Sequence, residues 1–266
     1  MTCSAPLATR TRTIEVANAQ KAEVTLRADT DGASLSRLLM AANGTGLAGL
    51  AGLTVTAIRT GDTYLIGAPI LGGLPGSPKV EVSAEALTRL FTRYRLRSPW
   101  ALTGGQELTI TLRNDSGAAR LVTVTDDRSG LLRTLAAGKT DAPPSDADRA
   151  ALYLVPQTTT RLVVATAEIP ANADRHTVVV PIPPNVRGII ETFAVSAAND
   201  VRIAVASGKR SVVEAVYADT LERLFAPGFG LLTPIEIASG DDLSLIVSND
   251  SGATRTVSFV AELIVQ

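Results

Sequence analysis

The strongest constraint on this chain's fold is an internal duplication. Residues 98–120 and 233–255 align without a gap at an offset of 135, and both contain the sequence Asn-Asp-Ser-Gly-Ala. Apolar and polar residues alternate on both sides of that motif, in 108–112 and 122–124 of the first copy and in 243–247 and 257–259 of the second. This period of two is typical of half-buried strands. The sequence therefore predicts two copies of one β-hairpin within two copies of one fold.

The repeated motif predicts the connection of each hairpin. Asn and Asp favour a type I turn, and a following Gly takes the left-handed backbone position that closes it. The predicted structural turn residues are Asn114 and Gly117 in the first copy, and Asn249 and Gly252 in the second.

A second match lies upstream of each hairpin. Residues 87–91 correspond to 221–225 at an offset of 134, and each segment follows a residue suited to cap a helix. Ser83 precedes the first segment, and Asp219 with Glu222 forms a capping box at the second. We expect a helix over 84–95 and its counterpart in the second half. A further helix is predicted over 34–42, ending at Asn43 and a glycine.

The remaining segments predict strands at intervals of about 8–12 residues, separated by turn signals. In the first half these are 11–17, 22–28, 53–60, 63–71, 79–83, 107–114 and 119–125, and in the second half 161–169, 176–183, 188–197, 201–207, 210–217, 231–238, 242–249 and 255–265. The predicted fold is all-β, with two tandem jelly-roll-like antiparallel β-sandwiches and short helices, related by duplication. An immunoglobulin-like sandwich remains an alternative, although its Cys, Trp, Cys spacing is absent.

The boundary between the halves is predicted near Pro143, because 141–146 has the composition of a linker. The domains are then 1–142 and 143–266. The first is longer, and the Gly-rich stretch 40–53 is the expected insertion. As an apolar surface loop, this stretch could touch lipid or a partner.

Composition excludes several functions. With one Cys and one His, the chain is neither a disulfide scaffold nor a zinc or iron–sulfur protein, and His-based catalysis would depend on His176 alone. No catalytic residue and no cofactor site are predicted. Structural calcium bound by loop carboxylates such as those of Asp29 and Asp31 is the one metal alternative. Asp126 and Asp127 are expected in a turn. No signal peptide and no transmembrane segment are expected.

Charge is distributed unevenly along the chain. Residues 1–140 carry 16 basic and 11 acidic side chains, a net charge of +5, whereas 141–266 carry 9 and 15, a net charge of −6. The halves should therefore attract each other within or between chains. The overall charge of −1 argues against sequence-specific nucleic-acid binding. A basic cluster interleaved with aromatic residues predicts a subunit interface, with single-stranded nucleic acid as the weaker alternative; its residues are Arg89, Arg93, Arg95, Arg97 and Trp100.

Two fused β-sandwiches with matching final hairpins, 108–124 and 243–259, each preceded by a helix, resemble the double jelly-roll major capsid proteins of tailless, membrane-containing icosahedral viruses. The resemblance implies a virion structural protein that assembles in the host cytoplasm. It also implies that the protein's main partner is itself, as a homotrimer whose six sandwiches form a pseudo-hexagonal tile and then a larger shell. Other virion proteins or an internal membrane are further expected partners.

Two other functions stay open at this stage. A two-domain binding module, such as an adhesin, tail-fibre or receptor- or glycan-binding protein, would present a cleft lined by loops and exposed aromatic residues. An enzyme on a sandwich scaffold would need a buried carboxylate pair. The sparse aromatic content, 4%, disfavours the glycan-binding hypothesis.

Overall fold

A computed structural model describes residues 8–28, 33–43, 46–61, 63–66, 80–96, 100–102, 104–129, 160–182, 186–208, 210–224 and 234–265. The predicted domain boundary at Pro143 lies outside these residues, as do Asp29 and Asp31, which are named for the calcium alternative.

The first sandwich contains nine strands and one α-helix among the described residues. They are β1 (Ala8–Val16), β2 (Lys21–Arg27), β3 (Ala33–Ala42), β4 (Leu53–Thr60), β5 (Thr63–Ile66), β6 (Val82–Ser83), α1 (Ala84–Arg93), β7 (Trp100–Leu102), β8 (Glu107–Asn114) and β9 (Arg120–Ser129). A short 3-10 helix, Gly46–Leu50, connects β3 to β4.

The second sandwich repeats this order. Its elements are β10 (Thr160–Ile169), β11 (His176–Val180), β12 (Gly188–Ser196), β13 (Val201–Ser207), β14 (Arg210–Tyr217), α2 (Ala218–Leu224), β15 (Ile235–Ile237), β16 (Leu243–Asn249) and β17 (Arg255–Val265).

The two halves have the same sheet topology. The first pairs its strands as β1-β9-β3-β7 and β2-β8-β4-β5, and the second as β10-β17-β12-β15 and β11-β16-β13-β14. Each order becomes the other when every strand is replaced by its counterpart in the other half. All of the pairings are antiparallel. The first sandwich has a four-stranded and a five-stranded sheet, because β6 also pairs with β4, and the second sandwich has two four-stranded sheets. This interleaved strand order is that of a jelly roll. The predicted fold class, two tandem jelly-roll-like sandwiches, is confirmed.

Each sandwich encloses its own apolar core between its two sheets. The second core is built around Phe193 and Phe259, whose ring centroids lie 5.4 Å apart. The first core includes α1 and the edge-to-face pair Phe91 and Trp100, with centroids 6.1 Å apart. Alternate strand residues supply both cores, as the period-two pattern predicts.

The predicted helix over 34–42 is wrong, because this segment is strand β3. Its pairing with β9 shifts between Leu35 and Arg37, which marks a β-bulge. A bulge adds one residue and reverses the alternation beyond it. Leu35 and Leu38 therefore face the core three positions apart, which imitates the spacing of a helix.

The helix predicted over 84–95 is confirmed as α1, which ends at Arg93. The Oγ atom of Ser83 accepts a hydrogen bond from the backbone N–H of Ala86 at 3.1 Å, as a helix N-cap does. At the other end, Arg37 donates hydrogen bonds to the carbonyl oxygens of Phe91 and Thr92.

Asp126 and Asp127 are not in a turn as predicted, because both continue strand β9. The additional length of the first half has two locations. The connection between β3 and β4, within 40–53, is longer than its counterpart between β12 and β13. A second addition separates β5 from β6, which together correspond to the uninterrupted β14.

Candidate functional site

The contact between the two sandwiches is the main candidate for a functional interface. Helix α1 packs against β3 and β4 of its own sandwich and against β12 and β17 of the second. Four apolar side chains on the outer face of the second sandwich join the first core; they are Leu162, Val164, Ala194 and Val260. Their strand neighbours, such as Val163 and Phe193, point into the second core instead.

Hydrogen bonds fix the register of this contact. Ser258 accepts from the backbone N–H of Ser83 at 2.8 Å, and Thr166 donates to the carbonyl oxygen of Glu81 at 2.8 Å. The hydroxyl oxygens of Thr166 and Ser258 lie 2.9 Å apart. The neighbouring hydroxyl groups of Thr166 and Ser258 on the second sandwich therefore bind the backbone that leads into α1.

The helix itself adds one polar contact. Ser196, on β12, donates to the Oε2 atom of Glu85 in the first turn of α1 at 3.2 Å. The other carboxylate oxygen of Glu85 accepts from Arg89 at 2.6 Å. Glu85 is thus held from both sides, and the start of the helix is fixed against the second sandwich.

A cleft of about 730 Å³ opens beside this contact. On its first-sandwich wall, Arg113 donates two hydrogen bonds to the buried carboxylate of Glu81, at 2.8 and 2.9 Å. This pairing raises the pKa of Arg113 above its ordinary value. Glu168 and His176 line the opposite wall, and the described residues of the lining include no Phe, Tyr or Trp.

The equivalent face of the first sandwich carries no such cover among the described residues. In the second sandwich Val260 pairs with Val164 and Ala194. Its counterpart in the repeated hairpin, Thr125, pairs with Thr11 and Leu39 in the same arrangement. Thr11 is exposed, and Thr125 and Leu39 are partly exposed.

The same register places Thr13 and Thr123 where the second sandwich has Thr166 and Ser258. The hydroxyl oxygens of Thr13 and Thr123 lie 3.1 Å apart, and those of Thr166 and Ser258 lie 2.9 Å apart. The first sandwich therefore retains the hydroxyl pair on an open face.

The predicted interface residues occupy two environments. Arg89 and Arg93 lie on α1, and Arg95 follows it, with its guanidinium 3.6 Å from the carboxylate of Asp127. Trp100, in contrast, is only 6% exposed and belongs to the first core. Arg97 lies outside the described residues. A subunit contact of this group stays a prediction.

The two predicted Asn residues occupy equivalent buried positions in their hairpins. The Nδ2 atom of Asn114 donates to the carbonyl oxygens of Val16 and Ala118, both at 2.8 Å, and its Oδ1 atom accepts from the N–H of Ser116. Asn249 makes the corresponding contacts in the second sandwich; its partners include Ile169, Pro170, Ala253 and Ser251.

The two predicted Gly residues differ. Gly117 has φ of +86°, the left-handed conformation that the turn prediction requires. Gly252 is not among the residues with positive φ, so the left-handed conformation predicted for it is wrong. Its turn is held by Asn249 and Ser251 without that backbone geometry.

Sequence reasoning missed the open threonine-rich face of β1 and β9. The signal was present, because Thr occupies positions 11, 13, 123 and 125 at a period of two. The strand register that makes neighbours of these positions comes from the structure alone. Reasoning on sequence also missed that α1 covers the second sandwich.

Three further observations concern metal binding, membrane spanning and the Gly-rich stretch. Among the described residues, no three His, Cys, Asp or Glu side chains are grouped so that they could hold a metal ion. None of the described helices is both long and apolar enough to cross a membrane. In the Gly-rich stretch, Leu50 is buried and Leu47 is exposed.

The topology and the contact between the halves define a double jelly-roll protein. No protein-family model and no curated protein matches the sequence. Among solved structures, the fold is similar to the major capsid protein P2 from bacteriophage PM2, with a TM-score of 0.42 and 11% identity over 97% of this chain and 98% of that one. It is also similar to the STIV MCP, with a TM-score of 0.41 and 12% identity over 97% of each chain.

Proposed function

We propose that this chain is a virion structural protein, a major capsid protein whose copies associate head to tail into trimeric, pseudo-hexagonal tiles. The observation that carries the proposal is the contact between the two sandwiches. In that contact, the helix-bearing side of one jelly roll covers the outer β10-β17-β12 face of the next.

Each chain makes this contact once, and it also carries a second surface equivalent to each side of the contact. The open β1-β9-β3 face of the first sandwich corresponds to the covered face, and the α2 side of the second sandwich corresponds to the covering side. Two different surfaces that fit each other give a heterologous contact, which closes as a ring when the rotation allows. Three chains with two sandwiches each would supply the six positions of a pseudo-hexagonal tile.

The charge distribution supports alternation of the halves. With net charges of +5 and −6, the first half of one copy attracts the second half of another. Contact between two first halves or two second halves is disfavoured by like charge. The charge distribution therefore favours rings in which the two halves alternate.

The cleft between the sandwiches gives less support to the binding-module alternative. A glycan-binding cleft would be expected to present Phe, Tyr or Trp side chains, and none of these is among the described residues that line this cleft. The Glu81 carboxylate is already bound by Arg113, so the cleft's most buried charge has a partner.

The proposal involves no catalytic step and no cofactor. It places the protein in the virion, with other virion proteins or an internal membrane as further partners. Leu47, on the exposed 3-10 helix between β3 and β4, is one apolar side chain available for such a contact.

Light scattering after size exclusion tests the proposal over a wide range of protein concentrations, with negative-stain imaging of each peak. We expect trimers with a six-lobed outline, or larger shells. A monomer at every concentration would refute assembly, and glycan- and cell-binding screens would then test the binding module.

A further inference from the structure

We propose that the open face of the first sandwich receives the start of α2 from a second copy, in the register that the chain uses internally. This face is called the threonine face; its residues are Thr11, Thr13, Leu39, Ala41, Thr123 and Thr125. The inference rests on the proposed function and deepens it, because it names the surface, the partner segment and the paired residues.

The first support is the retained hydroxyl pair. Within the chain, the Thr166 and Ser258 hydroxyls bind the carbonyl of Glu81 and the N–H of Ser83. Thr13 and Thr123 on the threonine face have the same hydroxyl separation within a few tenths of an ångström.

The second support is the backbone that would bind this pair. Ser83 pairs with Thr54 on β4, and Tyr217 pairs with Arg202 at the equivalent place on β13. Tyr217 is therefore the counterpart of Ser83, immediately before α2. It is 48% exposed, although it is a large hydrophobic residue. In the proposed contact, the backbone N–H of Tyr217 in the second copy would donate to the Thr123 hydroxyl of the first copy.

The third support is the helix position. Asp219 corresponds to Glu85 by the alignment of the two helices, and it is exposed in the first turn of α2. Ala41 corresponds to Ser196 by strand register. The proposed contact therefore places the carboxylate of Asp219 opposite Ala41, as the carboxylate of Glu85 lies opposite Ser196.

The chemistry of the threonine face suits a surface that is exposed to water until a second copy binds. Thr11 and Thr125 replace Val164 and Val260 of the covered face, and a threonine side chain has the shape of valine with a hydroxyl in place of one methyl group. The Thr11 and Thr125 hydroxyls lie 3.3 Å apart. The surface is thus shaped like the covered one and remains compatible with water before association.

A charge inversion at the Ala41 and Asp219 pair tests the register. In the wild-type background, Ala41→Glu should raise the concentration for half-association by about tenfold or more, because it faces Asp219. Ala41→Lys, matched in size, should associate like the wild type or better. In an Asp219→Lys background the order should reverse, so that Ala41→Glu associates and Ala41→Lys does not.

Light scattering at several concentrations is the readout, with far-UV circular dichroism as the test of folding. Thr25→Glu and Thr25→Lys, on the exposed face of β2, are matched controls that should not differ. A wild type that assembles with no charge dependence at Ala41, or no reversal by Asp219→Lys, overturns this docking and leaves the proposed function intact. A wild-type monomer at every concentration overturns both.

Discussion

The buried ion pair at the end of the first sandwich gives the sharpest stability prediction. Asp126 is fully buried and Arg128 is 3% exposed. Arg128 donates to the Oδ2 atom of Asp126 at 2.5 Å and to the carbonyl oxygen of Arg27 at 2.6 Å. The counterparts in the second sandwich are Ala261 and Leu263, so the same place in the fold can be filled without charge.

Replacing one partner should cost far more than replacing both. Arg128→Leu leaves the Asp126 carboxylate buried without its cation, and breaking a buried pair in this way costs about 3–5 kcal/mol. The double variant Asp126→Ala, Arg128→Leu installs the residues that the second sandwich already uses. Removing a buried pair as a whole is often neutral, so we expect a change within about 1 kcal/mol of zero.

The pH dependence has a definite sign. Burial raises the pKa of Asp126 above its ordinary value, and Arg128 opposes that effect. A carboxyl group with a raised folded-state pKa binds its proton more tightly when folded, so stability falls as pH rises from the unfolded to the folded value. Arg128→Leu removes the stronger of the two cations that oppose the rise in pKa, the other being Arg10. The stability loss of this variant should therefore shrink as pH falls and the carboxyl group of Asp126 is protonated. The double variant, without the carboxyl group, should lack this recovery.

Urea unfolding followed by tryptophan fluorescence measures the effect. Trp100 is the only tryptophan and lies in the first core, so its emission reports the sandwich that contains the pair. All variants are compared at one protein concentration, because association stabilises the folded state. If Arg128→Leu is no less stable than the double variant at pH 7, the buried-charge reasoning is refuted.

The repeated hairpins give two further predictions. Asn114→Ala removes three hydrogen bonds at a buried site, at about 1 kcal/mol each, and should cost about 2–4 kcal/mol by urea unfolding. Asn249→Ala should cost a similar amount by circular dichroism, and a negligible loss at both would refute the proposed role of these amides. Gly117→Val should cost about 1–3 kcal/mol because of its positive φ, whereas Gly252→Val should cost less in the same assay. Equal losses at the two glycines would contradict that assignment.

Local pattern was sufficient for most strands and for the duplication. β4, β8, β13, β14 and β17 have the predicted bounds. Buried and partly exposed residues alternate regularly in β8 and β13, whereas seven consecutive residues of β17 are buried. The same kind of local signal failed over 34–42, where the bulge in β3 changed the phase. A bulge depends on the partner strand β9, so one segment alone does not reveal it.

The candidate interface was harder to predict, because burial on the outer face of a sheet depends on a neighbouring domain. Trp100 stands near four arginines in sequence, yet it packs on Phe91 inside the first core. Val164 lies in an unbroken apolar run, 162–165, which is typical of a strand buried on both faces, but the run does not indicate that α1 of the other sandwich covers it. Propensity and period identify which residues share a face but not what covers that face.

The outer faces of the two sandwiches differ because they meet their partners at different times. The face covered within the chain finds its partner as the chain folds, so apolar residues such as Val164 and Val260 carry no cost there. The threonine face would be exposed until a second copy arrives, and large apolar patches on a free surface favour non-specific association. Thr11 and Thr125 have the shape of the equivalent valines, Val164 and Val260, but expose a hydroxyl group in place of a methyl group. On this argument, Thr11→Val with Thr125→Val should strengthen assembly and lower the solubility of the unassembled chain. Unchanged association in light scattering would show that this face stays in water.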